Sequence, residues 1–209
     1  MDAVETIALS MGVGWAAGLN LYAAVFMLGL LSTTGNLVLP DELALVGDPL
    51  VMGAAALMYC VEFFADKIPG VDTGWDAIHT FVRIPAGAVL AAGAVGDVGE
   101  PARLAAGLLG GTLAAGSHFT KAGTRAAVNV SPEPVTNWAA SLSEDVAVVG
   151  GLWAALYHPW VFLVGLVLFV ALVVWLTPKI VRGVRRLFSR RRDAELPAAS
   201  PNGTRDVMP

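Results

Sequence analysis

The chain has 209 residues, 56 % of them hydrophobic and 14 % charged, with a net charge of −4. A soluble chain is usually about 25 % charged, and a soluble domain of this length cannot cover so much apolar surface with polar groups. The composition therefore excludes a soluble enzyme, a nucleic-acid binder and a disordered chain, and specifies an integral membrane protein whose first partner is the lipid bilayer.

One cysteine, Cys60, leaves no internal disulfide and no multi-cysteine metal site. The start, Met1-Asp2-Ala3-Val4-Glu5, carries acids where a secretory signal carries bases, and reads as mature sequence.

A bilayer crossing takes roughly 20 helical residues. Six stretches satisfy that: 6–31, 48–66, 72–96, 103–129, 136–157 and 160–176. Turn chemistry separates them, at Thr34-Gly35-Asn36, Pro69-Gly70, Gly96-Asp97, Ser131-Pro132-Glu133-Pro134 and His158-Pro159. Pro85 inside the third stretch predicts a kink or a broken helix. Helices satisfy their own backbone groups in hydrocarbon. The expected fold is therefore an all-α polytopic bundle of about six transmembrane helices over residues 1–178.

Eight of the thirteen Lys and Arg residues follow residue 178, and Lys179, Arg182, Arg185, Arg186, Arg190, Arg191 and Arg192 stand directly after the last span. The positive-inside rule puts that end in the cytoplasm of an inner-membrane protein, and six crossings then put the N-terminus there too. The segment 179–209 reads as a basic juxtamembrane stretch suited to anionic lipid, with a disordered tail over 193–209.

A shift of 63 positions pairs Pro69 with Pro132, Thr73 with Thr136 and Trp75 with Trp138. It would relate spans two and three to spans four and five. Two spans per unit imply a parallel repeat; a re-entrant half-helix near Pro85 would make it inverted.

The most informative signal is the ionisable residues inside the spans, which are costly in lipid and face a bundle interior or a wet cavity. Asp72, Asp76, His79 and Arg83 follow at helical spacing and form one stripe; His118, Lys121, Arg125 and Asn129 form another. Tyr59, Glu62 and Asp66 share a face of span two, and Asn137, Ser141 and Glu144 share one of span five, with Asp145 beside them. All four stripes lie toward the same membrane side. The set nearly neutralises itself if both histidines are charged. The bland alternative is that charges near helix ends, such as Lys67 and Asp72, reach to the interface or pair to hold helices together.

Asn20 and Tyr22 are the strongly polar side chains deep in span one, and Asn20 either bonds to a neighbour or lines a site. Gly12, Gly14 and Gly18, with Gly107, Gly111 and Ala115, are spaced for close helix contact. His79 and His118 with Glu144 or Asp145 have metal-ligand chemistry, but nothing in the spacing demands a metal, and no cofactor motif appears. G-x-S-x-G, H-E-x-x-H and Walker patterns are absent.

Four longer motifs carry a resemblance. They are Gly14-Trp15-Ala16-Ala17-Gly18-Leu19-Asn20-Leu21-Tyr22, the run from Val61 to Asp72, the run from His79 to Gly87, and the run from Lys121 to Asn129. Together they resemble the bacterial membrane proteins of the domain of unknown function 4126 family, over about residues 7–178. The resemblance implies a multi-span bacterial membrane protein and brings no activity, cofactor or site residue with it.

Three functional readings follow from the residues. In the first, a small permease or channel-like protein moves an ion or small solute through the polar stripes. Its candidate binding residues are Asn20, Glu62, Asp66, Asp76, His79, Arg83, His118, Lys121, Arg125, Asn129, Glu144 and Asp145. In the second, the same groups bind a lipid head group for catalysis. In the third, the chain is a structural or assembly partner. The size suits a homodimer, though no motif fixes one.

Overall fold

The computed structural model describes residues 1–68, 70–128 and 134–195, the side chains of 134, 180, 181 and 183–195 excepted. Among these every regular element is helical: α1 (Ala3–Thr33), a 3-10 helix (Asp41–Gly47), α2 (Pro49–Ala65), α3 (Val71–Ala94), α4 (Glu100–Val128), α5 (Pro134–Tyr157) and α6 (Pro159–Glu195). Four helices are long and apolar enough to cross a membrane: Ala3–Thr33, Val71–Ala94, Val135–Tyr157 and Pro159–Lys179. The 3-10 helix and α2, bent by 63° at their junction, make a fifth if they form one span.

Local chemistry sets the helix starts. Asp2 accepts from Glu5 N at 2.8 Å while the Glu5 carboxylate accepts from Asp2 N at 2.9 Å, a capping box. Asp48 caps α2 through Leu50 N at 2.8 Å, with Pro49 at the first helical position. Gly70, at φ +87°, makes the sharp entry into α3 that a side chain would resist.

The break expected near Pro85 is elsewhere. α3 runs from Val71 to Ala94 without a non-helical residue, and α1 breaks instead at Asn20 (φ −149°, ψ 95°). Pro85 removes only one N–H donor, a loss a membrane helix tolerates when its neighbours re-satisfy the freed group.

Contacts along α3 give the direction of each half of α1. In the first half, Ser10 bonds to the Ala91 carbonyl at 2.7 Å, and a Cβ on Gly87 would lie 3.3 Å from Gly14 O. In the second half, Tyr22 meets His79 at 3.0 Å, and Val25 shares a cavity with Val89 and Leu90. Gly29 then packs against Met52, and the 3-10 helix reaches Gly93 through Leu43. Position along α3 thus falls as the first half advances and rises as the second half advances. Ser10 and Gly29 would be about 28 Å apart on a straight helix, yet both sit toward the C-terminal end of α3. α1 is therefore two half-helices folded back at Asn20. Its length matches a crossing, but both its ends lie at one end of the bundle, so α1 is not the full crossing expected of 6–31.

α1 lies at the centre, against α2, α3, α4 and α5. Small residues let backbones touch. A Cβ added at Gly14 would stand 2.7 Å from Gly110 Cα, and one at Gly18 would stand 2.9 Å from the Ala114 carbonyl carbon. One at Gly87 would meet Ala114 Cβ at 2.6 Å. Gly14 and Gly18 on α1 and Gly110 and Ala114 on α4, each four residues apart, form a seam with Gly87 of α3. Gly107 and Gly111 face Ala88 of α3 instead. Ser117 crosses the seam to the Trp15 carbonyl at 2.8 Å.

Burial is inverted relative to a soluble protein. Arg83, Arg125, His118 and Glu62 are among the largest fully buried side chains, whereas Phe81 is 83 % exposed and Leu50 81 % exposed. Apolar surface outside and ionic groups inside are what hydrocarbon solvent demands.

The chain divides into two compact units, Met1–Leu168 and Phe169–Pro209. Within the second, the helix continues to Glu195, into the segment expected to be disordered; 196–209 lie outside the described residues. There Lys179 Nζ sits 3.0 Å from the Trp175 ring centre, and Arg182 Nε donates to Pro178 O at 3.0 Å.

Candidate functional site

The stripes of α2, α3, α4 and α5 meet the break in α1. Lys121 of α4 is the centre. Its Nζ lies 3.0 Å from Glu62 Oε1, 2.8 Å from Asp66 Oδ2, 3.5 Å from Glu144 Oε2 and 3.7 Å from Asp76 Oδ1. It also donates to the Leu19 carbonyl at 3.2 Å. That carbonyl is free because of the break: Ala23 N, its ordinary helical partner, bonds at 3.0 Å to the Asn20 side-chain oxygen. Asn20 thereby caps the second half-helix, and its amide donates to Asp145 Oδ1 at 3.2 Å. Of the two roles open to Asn20, the bond to a neighbouring helix is the one seen here.

Two arginines flank the lysine. Arg83 holds Glu62 at 2.6 Å and Asp76 at 3.1 Å. Arg125 takes Glu144 with two nitrogens, at 2.7 and 3.1 Å, and reaches Asp66 Oδ2 at 3.4 Å. It also donates to the carbonyls of Asp66 at 2.7 Å and Asn137 at 3.3 Å. Buried charges need this density of partners to offset lost hydration.

The histidines differ. His118 Nδ1 stands 3.3 Å from Arg83 Nη1, and Lys121 is one turn away. A charged ring there would put two cations in contact. The guanidinium offers only hydrogens, so Nδ1 accepts, and Nε2–H points at Thr80 Oγ1, 2.6 Å away. Thr80 passes its own hydrogen to the Asp76 carbonyl at 3.0 Å. His118 is therefore neutral, so the condition under which the set would nearly neutralise itself, both histidines charged, is not met at this ring. His79 stacks on Trp75 with ring centres 4.2 Å apart, donates from Nδ1 to the Trp75 carbonyl at 2.9 Å, and meets the Tyr22 hydroxyl through Nε2.

Lys67 and Asp72, near the α2–α3 turn, are buried and do not reach outward. Lys67 lies over the Phe63 ring, 2.9 Å from its centre, and bonds to Ser141 at 3.2 Å. Burial pushes its ammonium pKa down, against the pull of Asp145 and Asp66. Asp72 Oδ1 accepts from the backbone of Gly70 at 2.8 Å and Thr73 at 2.6 Å.

Every candidate residue from the sequence joins this cluster or its edge, except Asn129, which lies outside the described residues. Thr80 and the Leu19 carbonyl were not foreseen. A main-chain carbonyl leaves no mark in a sequence, and Thr80 stands out only as one step past the stripe residue His79.

A cavity of about 390 Å³ lies beside the charges, not among them. It is lined by apolar side chains of α1, α2 and α3, and Tyr22 joins it to the cluster. The water-filled space expected between the stripes is not where this cavity lies; the charges there are packed against one another. Among the described residues, no three of His, Cys, Asp and Glu stand in an arrangement that could hold a metal ion.

No curated protein and no solved structure matches the chain. A family model does, over residues 7–179, and the chain belongs to the family that it defines, the Domain of unknown function (DUF4126).

Proposed function

We propose that the chain is a small inner-membrane transporter whose ion or solute site is the cluster around Lys121, held closed by its own ion pairs. The observation that carries this reading is the fold-back of α1 at Asn20. Non-helical backbone at membrane depth is tolerated where it is buried in protein or lines a polar site, and transporter sites are commonly built from such half-helices. Here both half-helix ends engage the cluster, through Leu19 O and Asn20.

The topology in this reading has five crossings, α2 to α6, and a re-entrant α1; α4 is not among the helices apolar enough by composition, and is counted because it runs antiparallel along α3 from Gly107–Ala88 to His118–Thr80. The bases from Lys179 to Arg192 keep the C-terminus in the cytoplasm on anionic lipid. Five crossings then leave the N-terminus outside, in place of the six-span arrangement. In this reading α2–α3 and α4–α5 are a parallel repeat: Glu62 and its equivalent Arg125 each pair with the following helix, through Arg83 and Glu144, which stand at non-equivalent positions.

Flux in proteoliposomes across a panel of ions and small charged metabolites tests the reading. Transport of one of them, lost in Lys121→Met and kept in the lipid-facing Phe81→Leu, is expected. Folded protein that carries none of the panel overturns it.

A structural or assembly role has its own supporting observation, the pairing of Arg83, Lys121 and Arg125 with two or more carboxylates each. Under that role, deleting residues 179–209 abolishes function in protein that still folds, and neutralising Glu62 acts only through the stability of the fold.

A further inference from the structure

We infer that the cavity between α1, α2 and α3 is a binding site for one acyl chain of a bilayer lipid, whose head group stays outside it. Such a site stands whether or not the chain is a transporter.

Small side chains leave the space. Ala54 and Ala55 of α2 and Ala86 of α3 line it. Where small residues line the seam of α1 and α4, the backbones close to touching; here the helices stay apart around about 390 Å³. Protein interiors hold few voids larger than a water molecule, so a space of this size has an occupant.

The walls and the mouth define its chemistry. Among the described residues, Tyr22 brings the only lining hydroxyl, and that hydroxyl is already engaged with His79 at 3.0 Å. The other lining side chains are Ala, Val, Leu and Met. A polar or charged ligand would leave its groups unpaired against them, whereas hydrocarbon loses nothing. The mouth lies at Val89, 69 % exposed, and at the exposed Ala54, on the apolar outer surface. Deeper in, Leu21 and Leu90 are buried. Entry is therefore from lipid.

Size narrows the choice further. A methylene group takes up about as much room as a water molecule, about 30 Å³, so the cavity holds on the order of a dozen, most of one acyl chain. A helix about 10 Å across fills the same volume in about one turn, so a helix of a second copy does not fit. Ala55 and Glu62, seven residues apart and both buried, share a face of α2. The acyl chain thus lies under the face of α2 that carries the Lys121 cluster's Glu62.

The test uses full-length protein in phosphatidylglycerol bilayers doped with the same lipid carrying a photoactivatable diazirine midway along one acyl chain. After illumination, the cross-linked residues are mapped by mass spectrometry. The expected result is labelling of the buried Leu21 and Leu90 well above that of Leu152, buried in α5, while the exposed Phe81 and Leu104 report lipid on the outer surface. Ala54→Phe fills the mouth and Ala86→Leu the wall. Each loses the labelling of Leu21 and Leu90 and keeps that of Phe81 and Leu104. Labelling confined to exposed residues, labelling of Leu21 and Leu90 no greater than that of Leu152, or labelling unchanged in a folded variant overturns the inference. Should one variant not fold, the other decides; should neither fold, the wild-type contrast decides alone. Solute flux is no part of the readout, so protein that carries no ion overturns the transporter reading and leaves this site standing.

Discussion

Lys121→Met removes the central cation while keeping the length of an unbranched side chain. Four carboxylates then face two arginines where they faced three cations. Each contact near 3 Å carries about 5 kcal/mol of attraction at an effective dielectric of about 20. The recovered hydration cost of the lysine offsets much of that. Removing one partner from a buried ionic group costs about 3–5 kcal/mol net, which is two to four orders of magnitude in the folded-to-unfolded ratio at about 1.4 kcal/mol per tenfold. Leu19 O also loses its donor. Equilibrium unfolding in detergent, followed by helical circular dichroism, reads the cost. Asp66→Asn alone leaves Lys121 with Glu62 and Glu144, and costs about 1–3 kcal/mol. Combining the two recovers about 0.5–3 kcal/mol relative to their sum, because they share a contact. A Lys121→Met variant within about 1 kcal/mol of wild type, or strict additivity with Asp66→Asn, refutes the reasoning.

Arg125→Lys loses the two-nitrogen grip on Glu144 and at least one of two carbonyl bonds, and destabilises by about 2–5 kcal/mol in the same assay. Gly18→Ala drives a methyl into the Ala114 backbone and costs about 1–3 kcal/mol or more. Gly53→Ala, on open helix surface, is neutral or stabilising by about 0.5–1 kcal/mol; equal effects for the two glycines would argue against the seam. Asn20→Ala strips the cap from Ala23 N and a donor from Asp145, for a loss of about 1–3 kcal/mol, and slows or abolishes any flux measured in proteoliposomes.

The polar stripes were legible in the sequence because charges at steps of three and four on an apolar helix have one way to face, and that way is inward. Asp76, His79 and Arg83 obey it, as do His118, Lys121 and Arg125. The fold-back was not legible. Hydropathy counts residues, and the 31 of α1 exceed what one crossing needs. Pro85 drew the eye because proline breaks soluble helices, whereas Asn20 carried the quieter signal of a capping residue between two apolar runs. The neutral state of His118 depended on Arg83 arriving from another helix, a proximity that no local pattern encodes.

The tight seam of α1, α3 and α4 also says where movement has to come from. With glycine backbones in mutual contact there, those helices have no slack to slide or tilt. α2 buries only Ala55, Glu62 and Ala65, and Glu62 and Asp66 at its inner end are half of the anions that hold Lys121. Opening the cluster would therefore mean swinging a lightly anchored arm away from a fixed frame, and the work of that swing would be the parting of Glu62 and Asp66 from Lys121 and from both arginines.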